Sequence, residues 1–172
     1  LDANLAHYAD LLEAASGRSI RDVPGSGAAG GTTAGLLAIA SAFGSFEVRP
    51  GVDVVMELTG FEAALTESDL VITGEGSIDR QTAFGKTALG VARRARGAGL
   101  PCICFGGGVT PDGIEALADL AIVIPVTEAP VDVQAQMALG AAPMVRAAER
   151  TARLVSLAAP PSVYGTAAAG TV

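Results

Sequence analysis

Two short apolar runs, each emptying into a cluster of glycines, constrain this chain more than any other feature. Asp69–Thr73 is apolar and β-branched and ends in Gly74-Glu75-Gly76, and Pro101–Phe105 ends in Gly106-Gly107-Gly108. Continuous apolar runs that stop at glycine predict buried parallel strands opening into loops. Between them, Lys86–Arg96 carries Ala88, Val91, Ala92 and Ala95 on one side and Arg93, Arg94 and Arg96 on the other, the spacing of an amphipathic helix. A short helix near Pro111–Ala118 then leads to a third strand at Leu120–Val126. This alternation predicts βαβ units, and hence an α/β fold with a parallel sheet and right-handed crossovers. An open sheet of this kind commonly has about four to six strands, covered on both faces. Three strands therefore predict an incomplete sheet, which would expose an edge and apolar helix faces or borrow cover from another chain, as in a homo-oligomer.

Upstream of the sheet the pattern is helical. Leu1–Ser16 places Leu5, Tyr8, Leu11 and Leu12 on one face, with Gly17 as a stop. A glycine-rich turn at Pro24–Gly31 precedes a helix at Thr32–Phe43, and Arg49-Pro50-Gly51 punctuates the chain before a third helix at Val52–Leu58. Downstream, a last helix covers Asp132–Leu157 with a break at Gly140–Pro143, and residues 159–172, with Pro160-Pro161, read as a loose tail.

Composition removes several function classes. Half of the 172 residues are hydrophobic and 17% are charged, so a packed core is affordable and disorder is not expected. A net charge of −7 without a basic run offers nothing to neutralise a phosphate backbone, which argues against nucleic-acid binding. The uncharged stretch 23–46 is strongly apolar only over Leu36–Phe43, too short for a membrane span. Cys102 and Cys104, at i and i+2, are too close for an ordinary disulfide and too few for a thiolate zinc site, and so read as core residues in a reducing cytoplasm. His7, the single histidine, has no partner for acid–base work and reads as an ordinary helix residue. The chain opens on Leu1-Asp2-Ala3 and lacks the order of a secretion signal, so it reads as one entered midway.

Gly25-Ser26-Gly27-Ala28-Ala29-Gly30 satisfies the GxGxxG pattern, but a polar segment with Asp22 and Pro24 stands where a dinucleotide fold needs a hydrophobic strand. Nicotinamide-dinucleotide binding is not expected. Gly25, Gly27 and Gly30 remain candidates for contact with a small anion, since a glycine turn feeding a helix presents free N–H groups; a tight turn with close packing accounts for them equally well. Gly85-Lys86-Thr87 ends like a P-loop, but Arg80 occupies the position where that motif requires glycine. More informative is the whole stretch from Thr73 to Lys86, which crowds Glu75, Asp79, Gln81, Thr82 and Lys86 into one segment at the C-terminal end of a strand. Open α/β sheets place their ligands at that edge. Lys86 opens the next helix, where the macrodipole disfavours a cation unless an anion is shared. A solvated loop with a surface lysine is the alternative.

The segments Pro24–Gly31 and Asp69–Lys86 resemble those of the class I bacterial glycerate kinase family, and the likeness runs from Leu1 to Leu157. The second segment is the more specific, with its glycines, Glu75, Asp79, Gln81, Thr82 and Lys86 in the family's order. The resemblance implies phosphorylation of D-glycerate with ATP and Mg²⁺ by two α/β domains, one inserted in the other. Residues 1–48 would be the end of the inserted domain and residues 49–158 the returning part of a Rossmann-like or flavodoxin-like domain. The family's opening Ser- and Lys-containing motif and its Asp-Gly-Gly motif are missing from this chain, which implies a C-terminal portion that needs an N-terminal half.

Residue chemistry then assigns Glu75 and Asp79 to the metal or the acceptor hydroxyl. Lys86 goes to phosphate or the glycerate carboxylate, and Gly74, Gly76, Gln81 and Thr82 to substrate contacts. Glu75, Asp79 and Lys86 are expected to face one cleft from a loop spanning Gly74–Gly85. The rival reading is a non-catalytic module that keeps a small-anion pocket.

Overall fold

The computed structural model describes residues 2–84 and 87–158. Contacts divide the chain into two units, Leu1–Phe61 and Glu62–Val172.

The described part of the first unit is made of helices and turns, with no strand. Helix α1 (Asp2–Ser16) ends at Gly17, whose φ of 68° is left-handed and suits a glycine C-cap. Its buried residue is Ala9, whereas Leu11 of the predicted apolar face is exposed. Segment 18–27 is a series of turns held by Glu13, whose carboxylate accepts the N–H groups of Ile20 at 2.6 Å and Arg21 at 2.8 Å. Those backbone donors, Arg21 first, lower the Glu13 pKa. Helix α2 (Ala28–Ala38) is interrupted at its start, because Ala29, Gly30 and Gly31 are all left-handed; regular helix begins at Thr32, as the sequence predicts. It stops at Ala38, short of the expected Phe43, and a 3₁₀ turn (Ala40–Ala42) follows. Helix α3 (Gly51–Thr59) completes the unit.

The second unit holds the sheet. After α4 (Phe61–Leu65), a short helix the sequence reading did not include, come β1 (Val71–Ile78), α5 (Thr87–Gly97), β2 (Cys102–Val109), α6 (Pro111–Leu117) and β3 (Ile122–Pro125). The strands lie in the order β1-β2-β3, and both pairings are parallel. The α/β class and the parallel sheet are as expected. Two details differ. The expected loop Gly74–Gly85 does not start at Gly74, since β1 runs on to Ile78 and a 3₁₀ turn occupies Arg80–Phe84. The cause is the second glycine run, which supplies partners for the ladder: Glu75 lies opposite Gly106 and Ser77 opposite Gly108. Nor is β1 buried on both faces. The register sets Ile72, Ile103 and Ile122 in one row, 62%, 5% and 64% exposed, because only the central strand has a neighbour on each side among the described residues.

The core sits around β2. On the face of Ile103 and Phe105, the sheet packs with Val126 and with Ala147 of α8 (Ala142–Ala158), while Leu70 and Ile124 join the margin. Helix α5 packs on β1 and β2 with Ala88, Leu89, Ala92 and Ala95 buried; three of these belong to the predicted apolar side, while Val91 of that side is half-buried and Leu89 takes its place. The predicted last helix is two helices, α7 (Val133–Ala138) and α8, separated at Gly140, where φ is 60°. Among the described residues no helix is long and apolar enough to cross a membrane. The tail expected at residues 159–172 lies outside the described residues.

Glu128 ties the segment after β3 to α8. Its carboxylate accepts from Arg146 Nη2 at 2.6 Å and from Arg150 Nη1 at 2.9 Å. The guanidinium of Arg146, then that of Arg150, holds the Glu128 pKa at about 2, below its ordinary 4.5. A carboxyl with a depressed folded-state pKa contributes stability above its unfolded value and loses it as pH falls towards the folded one. The urea midpoint of the chain should therefore exceed that of Glu128→Gln at pH 7, and the gap should close between about pH 4.5 and pH 2. An exposed pair is a small contributor, so the measured quantity is the pH dependence of the gap rather than its size. A gap independent of pH would contradict the ion-pair role.

Candidate functional site

Alternation along β1 sends Val71, Thr73 and Glu75 to one face of the sheet and Ile72, Gly74 and Gly76 to the other. Thr73 lies opposite Cys104 and Glu75 opposite Gly106, so the Glu75 carboxylate is on the Cys104 side. One of its oxygens, Oε2, is withdrawn from solvent. Burial first, and then the charges of Cys102 and Glu75, push the Cys104 thiol up to about 11. Both cysteines are free and buried, in keeping with their reading as core residues.

At the end of β1, the fully buried Ile78 is followed by Asp79, which immediately precedes the 3₁₀ turn. The Asp79 carboxylate is held from two sides. Oδ2 accepts from Ser77 Oγ at 2.9 Å and Oδ1 accepts from the Gln81 N–H at 2.8 Å. The Asp79 N–H donates to Thr82 Oγ1 at 3.1 Å, and the Thr82 N–H donates back to the Asp79 carbonyl at 2.9 Å. This is the local side-chain capping that Asp and Thr favour at turns. These two donors hold the direction of the carboxylate.

The segment thus carries Glu75 in the C-terminal half of β1 and Asp79, Gln81 and Thr82 just beyond its end, in different capacities. Glu75 and Asp79 are half-buried acids, and Gln81 is exposed. Thr82 is fully buried, its hydroxyl turned to the Asp79 amide. Gly76 has open space where a Cβ would be, and Gly74 lies exposed against the Phe105 carbonyl. Lys86 and Gly85 lie outside the described residues.

The glycines in the second half of β2 buttress this segment. A Cβ on Gly107 would stand 2.6 Å from the Gly76 carbonyl oxygen, and one on Gly106 would stand 2.8 Å from Ile78 Cδ1. Helix α6 packs against the 3₁₀ turn. Thr110 caps α6 and has Pro111 in the first helical turn; that Thr-Pro start is the signal from which the cap could have been read.

In the first unit, Gly25, Gly27 and Gly30 are exposed. Gly25 has a φ of 86°, and Gly30 faces open space. Residues before Gly25 form turns rather than a strand, so the pattern lacks the strand on which a dinucleotide fingerprint closes. Beside this segment a hollow of about 300 Å³ is lined by Leu5, Tyr8, Arg21, Ser26 and Gly31, among others. The Arg21 guanidinium there is engaged by the Asp10 carboxylate and the Ala6 carbonyl.

No group of three or more His, Cys, Asp or Glu side chains able to hold a metal occurs among the described residues. Glu75 and Asp79 nevertheless fit Mg²⁺ in kind. That ion favours hard oxygen donors and is commonly held by one or two carboxylates, with water and substrate phosphates completing its shell.

α/β proteins with an open parallel sheet take small ligands beyond the C-terminal ends of their strands, the side on which Asp79 follows β1. The model of the glycerate kinase family matches residues 1–156, and the chain belongs to that family. It is 43% identical to a glycerate kinase of Halalkalibacterium halodurans over 117 residues, covering 68% of this chain and 30% of the relative. It is 43% identical to a glycerate kinase of Bacillus subtilis over 124 residues (68% and 31%) and 41% identical to a glycerate 2-kinase of Escherichia coli over 112 residues (65% and 28%). The chain therefore spans about 30% of the length of these curated relatives. A crystal structure from Salmonella typhimurium LT2, of a protein assigned as glycerate kinase 2, aligns with a TM-score of 0.53 and 32% identity over 91% of this chain and 40% of that one.

Proposed function

We propose that this chain is the C-terminal portion of a class I, ATP-dependent glycerate kinase that acts in the cytoplasm, with the rest of the family's length supplied by sequence outside it. Family membership over residues 1–156 is the observation that carries this reading, and the acids Glu75 in β1 and Asp79 just past its end support it. Residues 1–48 would end an inserted domain, residues 49–158 would return the α/β domain, and residues 159–172 would trail from it.

The reaction would join a hydroxyl oxygen of D-glycerate to the terminal phosphorus of ATP, break the bond to the ADP oxygen, and release the hydroxyl proton. Such a transfer needs acids to hold a metal, cationic charge near the phosphate and a positioned acceptor. Asp79, oriented by Ser77 and Gln81, is suited to the metal or to orienting the acceptor hydroxyl. Glu75 is suited to the same tasks from its place further back on β1. Mg²⁺, when bound, would offset charge on the phosphate oxygens. Lys86 would meet a phosphate or the glycerate carboxylate, with Gln81, Gly74 and Gly76 lining the substrate. Thr82 would act from behind, through Asp79. Gly25, Gly27 and Gly30 would offer N–H groups to an anion from the first unit.

The test is product formation from D-glycerate and ATP by a polypeptide of full family length that carries this segment. Phosphoglycerate and ADP in equal amounts are the expected result. Binding of either substrate without turnover would replace the kinase reading with that of a non-catalytic small-anion module.

A further inference from the structure

We propose that Gly113 is a positioning residue for the Asp79 carboxylate, setting the direction in which that residue leaves β1; the proposal rests on the place given to Asp79 in the reaction. A Cβ on Gly113 would stand 2.3 Å from the Ile78 carbonyl oxygen, 2.5 Å from the Ile78 carbonyl carbon and 2.7 Å from the Asp79 nitrogen. All three atoms are backbone, so no side-chain rotation could make room. Gly113 is buried and has no left-handed φ, so the space it leaves, rather than its conformational freedom, is what the site requires.

The peptide joining Ile78 to Asp79 is held on both sides. The Ile78 carbonyl accepts the Thr110 N–H at 2.9 Å, and the Asp79 N–H donates to Thr82 Oγ1 at 3.1 Å. Thr110 Oγ1 in turn accepts the Gly113 N–H at 3.3 Å, which locks the start of α6 over that peptide. With a methyl group at position 113, either α6 lifts or the peptide rotates. Both movements re-aim the carboxylate that Ser77 and Gln81 hold.

The experiment has a structural arm and a kinetic arm. In the metal-free 172-residue chain, Gly113→Ala should shift the amide resonances of Asp79, Gln81 and Thr82, whereas Gly97→Ala, with nothing within 4 Å of its added methyl, should not. In a full-length enzyme carrying this segment, Gly113→Ala should lower kcat by at least ~10-fold while KM for ATP and D-glycerate changes far less, since a misplacement of about 1 Å can cost about 100-fold. Thr110→Ala should lower kcat in the same direction and Thr110→Ser, which keeps the cap, should restore it. Unchanged Asp79, Gln81 and Thr82 amides or an unchanged kcat in Gly113→Ala would overturn the proposal. Should Gly113→Ala fail to fold, full kcat in Thr110→Ala would overturn it instead. If Gly113→Ala moves the amides while Asp79→Asn keeps full kcat, the structural coupling stands and the assignment of Asp79 to the reaction is overturned.

Discussion

The isolated 172-residue chain is expected to show no turnover of ATP with D-glycerate, and turnover should appear when the part of a glycerate kinase that it does not cover is added as a separate polypeptide. The described residues supply three strands and one acidic edge, and the chain spans about 30% of the length of its relatives. Phosphoryl transfer is mostly positioning and charge stabilisation, so its rate depends on groups held in fixed geometry around both substrates. Orientation alone can supply about 7–11 kcal/mol of the barrier, and a site lacking one wall forfeits most of that even where the remaining fold is intact. The measurement is ADP release coupled to D-glycerate, with and without the complementing portion of the Bacillus subtilis relative. Robust turnover by this chain alone would mean that the complete site lies within it.

Glu75→Gln, in a polypeptide of full family length, should lower kcat by about 10²–10³-fold, the range found when one preorganised charge-stabilising group is removed. Glutamine keeps the shape of the side chain and removes its charge, so the expected effect falls on the transition state and not on the fold. The thermal midpoint should move little, because the residue is only half-buried and its ladder pairing with Gly106 is made by the backbone. Truncating the neighbouring anchor should do the opposite. Ile78 is fully buried, and Ile78→Ala should cost about 2–5 kcal/mol in stability. Steady-state kinetics unaltered by Glu75→Gln would remove Glu75 from the reaction.

The parallel sheet was legible because apolar runs broken by glycine, with amphipathic spacing between them, admit few other folds. The crowding of acids after Thr73 was legible for a similar reason, since such groups are rarely gathered at the end of a strand without a task. What the sequence concealed was non-local. Gly74 and Gly76 have poor strand propensity, and the ladder runs past them because Gly74 pairs with Phe105, Glu75 with Gly106 and Ser77 with Gly108. Leu70, inside the apolar run that predicts the strand, is only half-buried, whereas Ile78, beyond that run, is fully buried, because a residue's burial depends on what later elements lay over it. Thr82 looked like a substrate contact, and its bond to Asp79 is visible only once the turn is formed. The part played by Gly113 depends on a contact across more than thirty residues, which no local pattern encodes.

The placement of Cys104 gives the chain an internal reporter. Its thiol is buried, is pushed up to about 11, and belongs to the face of the sheet that also carries Glu75. At neutral pH almost none of it is thiolate, and modifying reagents must wait for the sheet to open. At reagent concentrations where modification outpaces reclosing, the rate at which Cys104 reacts therefore measures how often the sheet opens around β2, in units of time rather than of affinity, and does so without any substrate in hand.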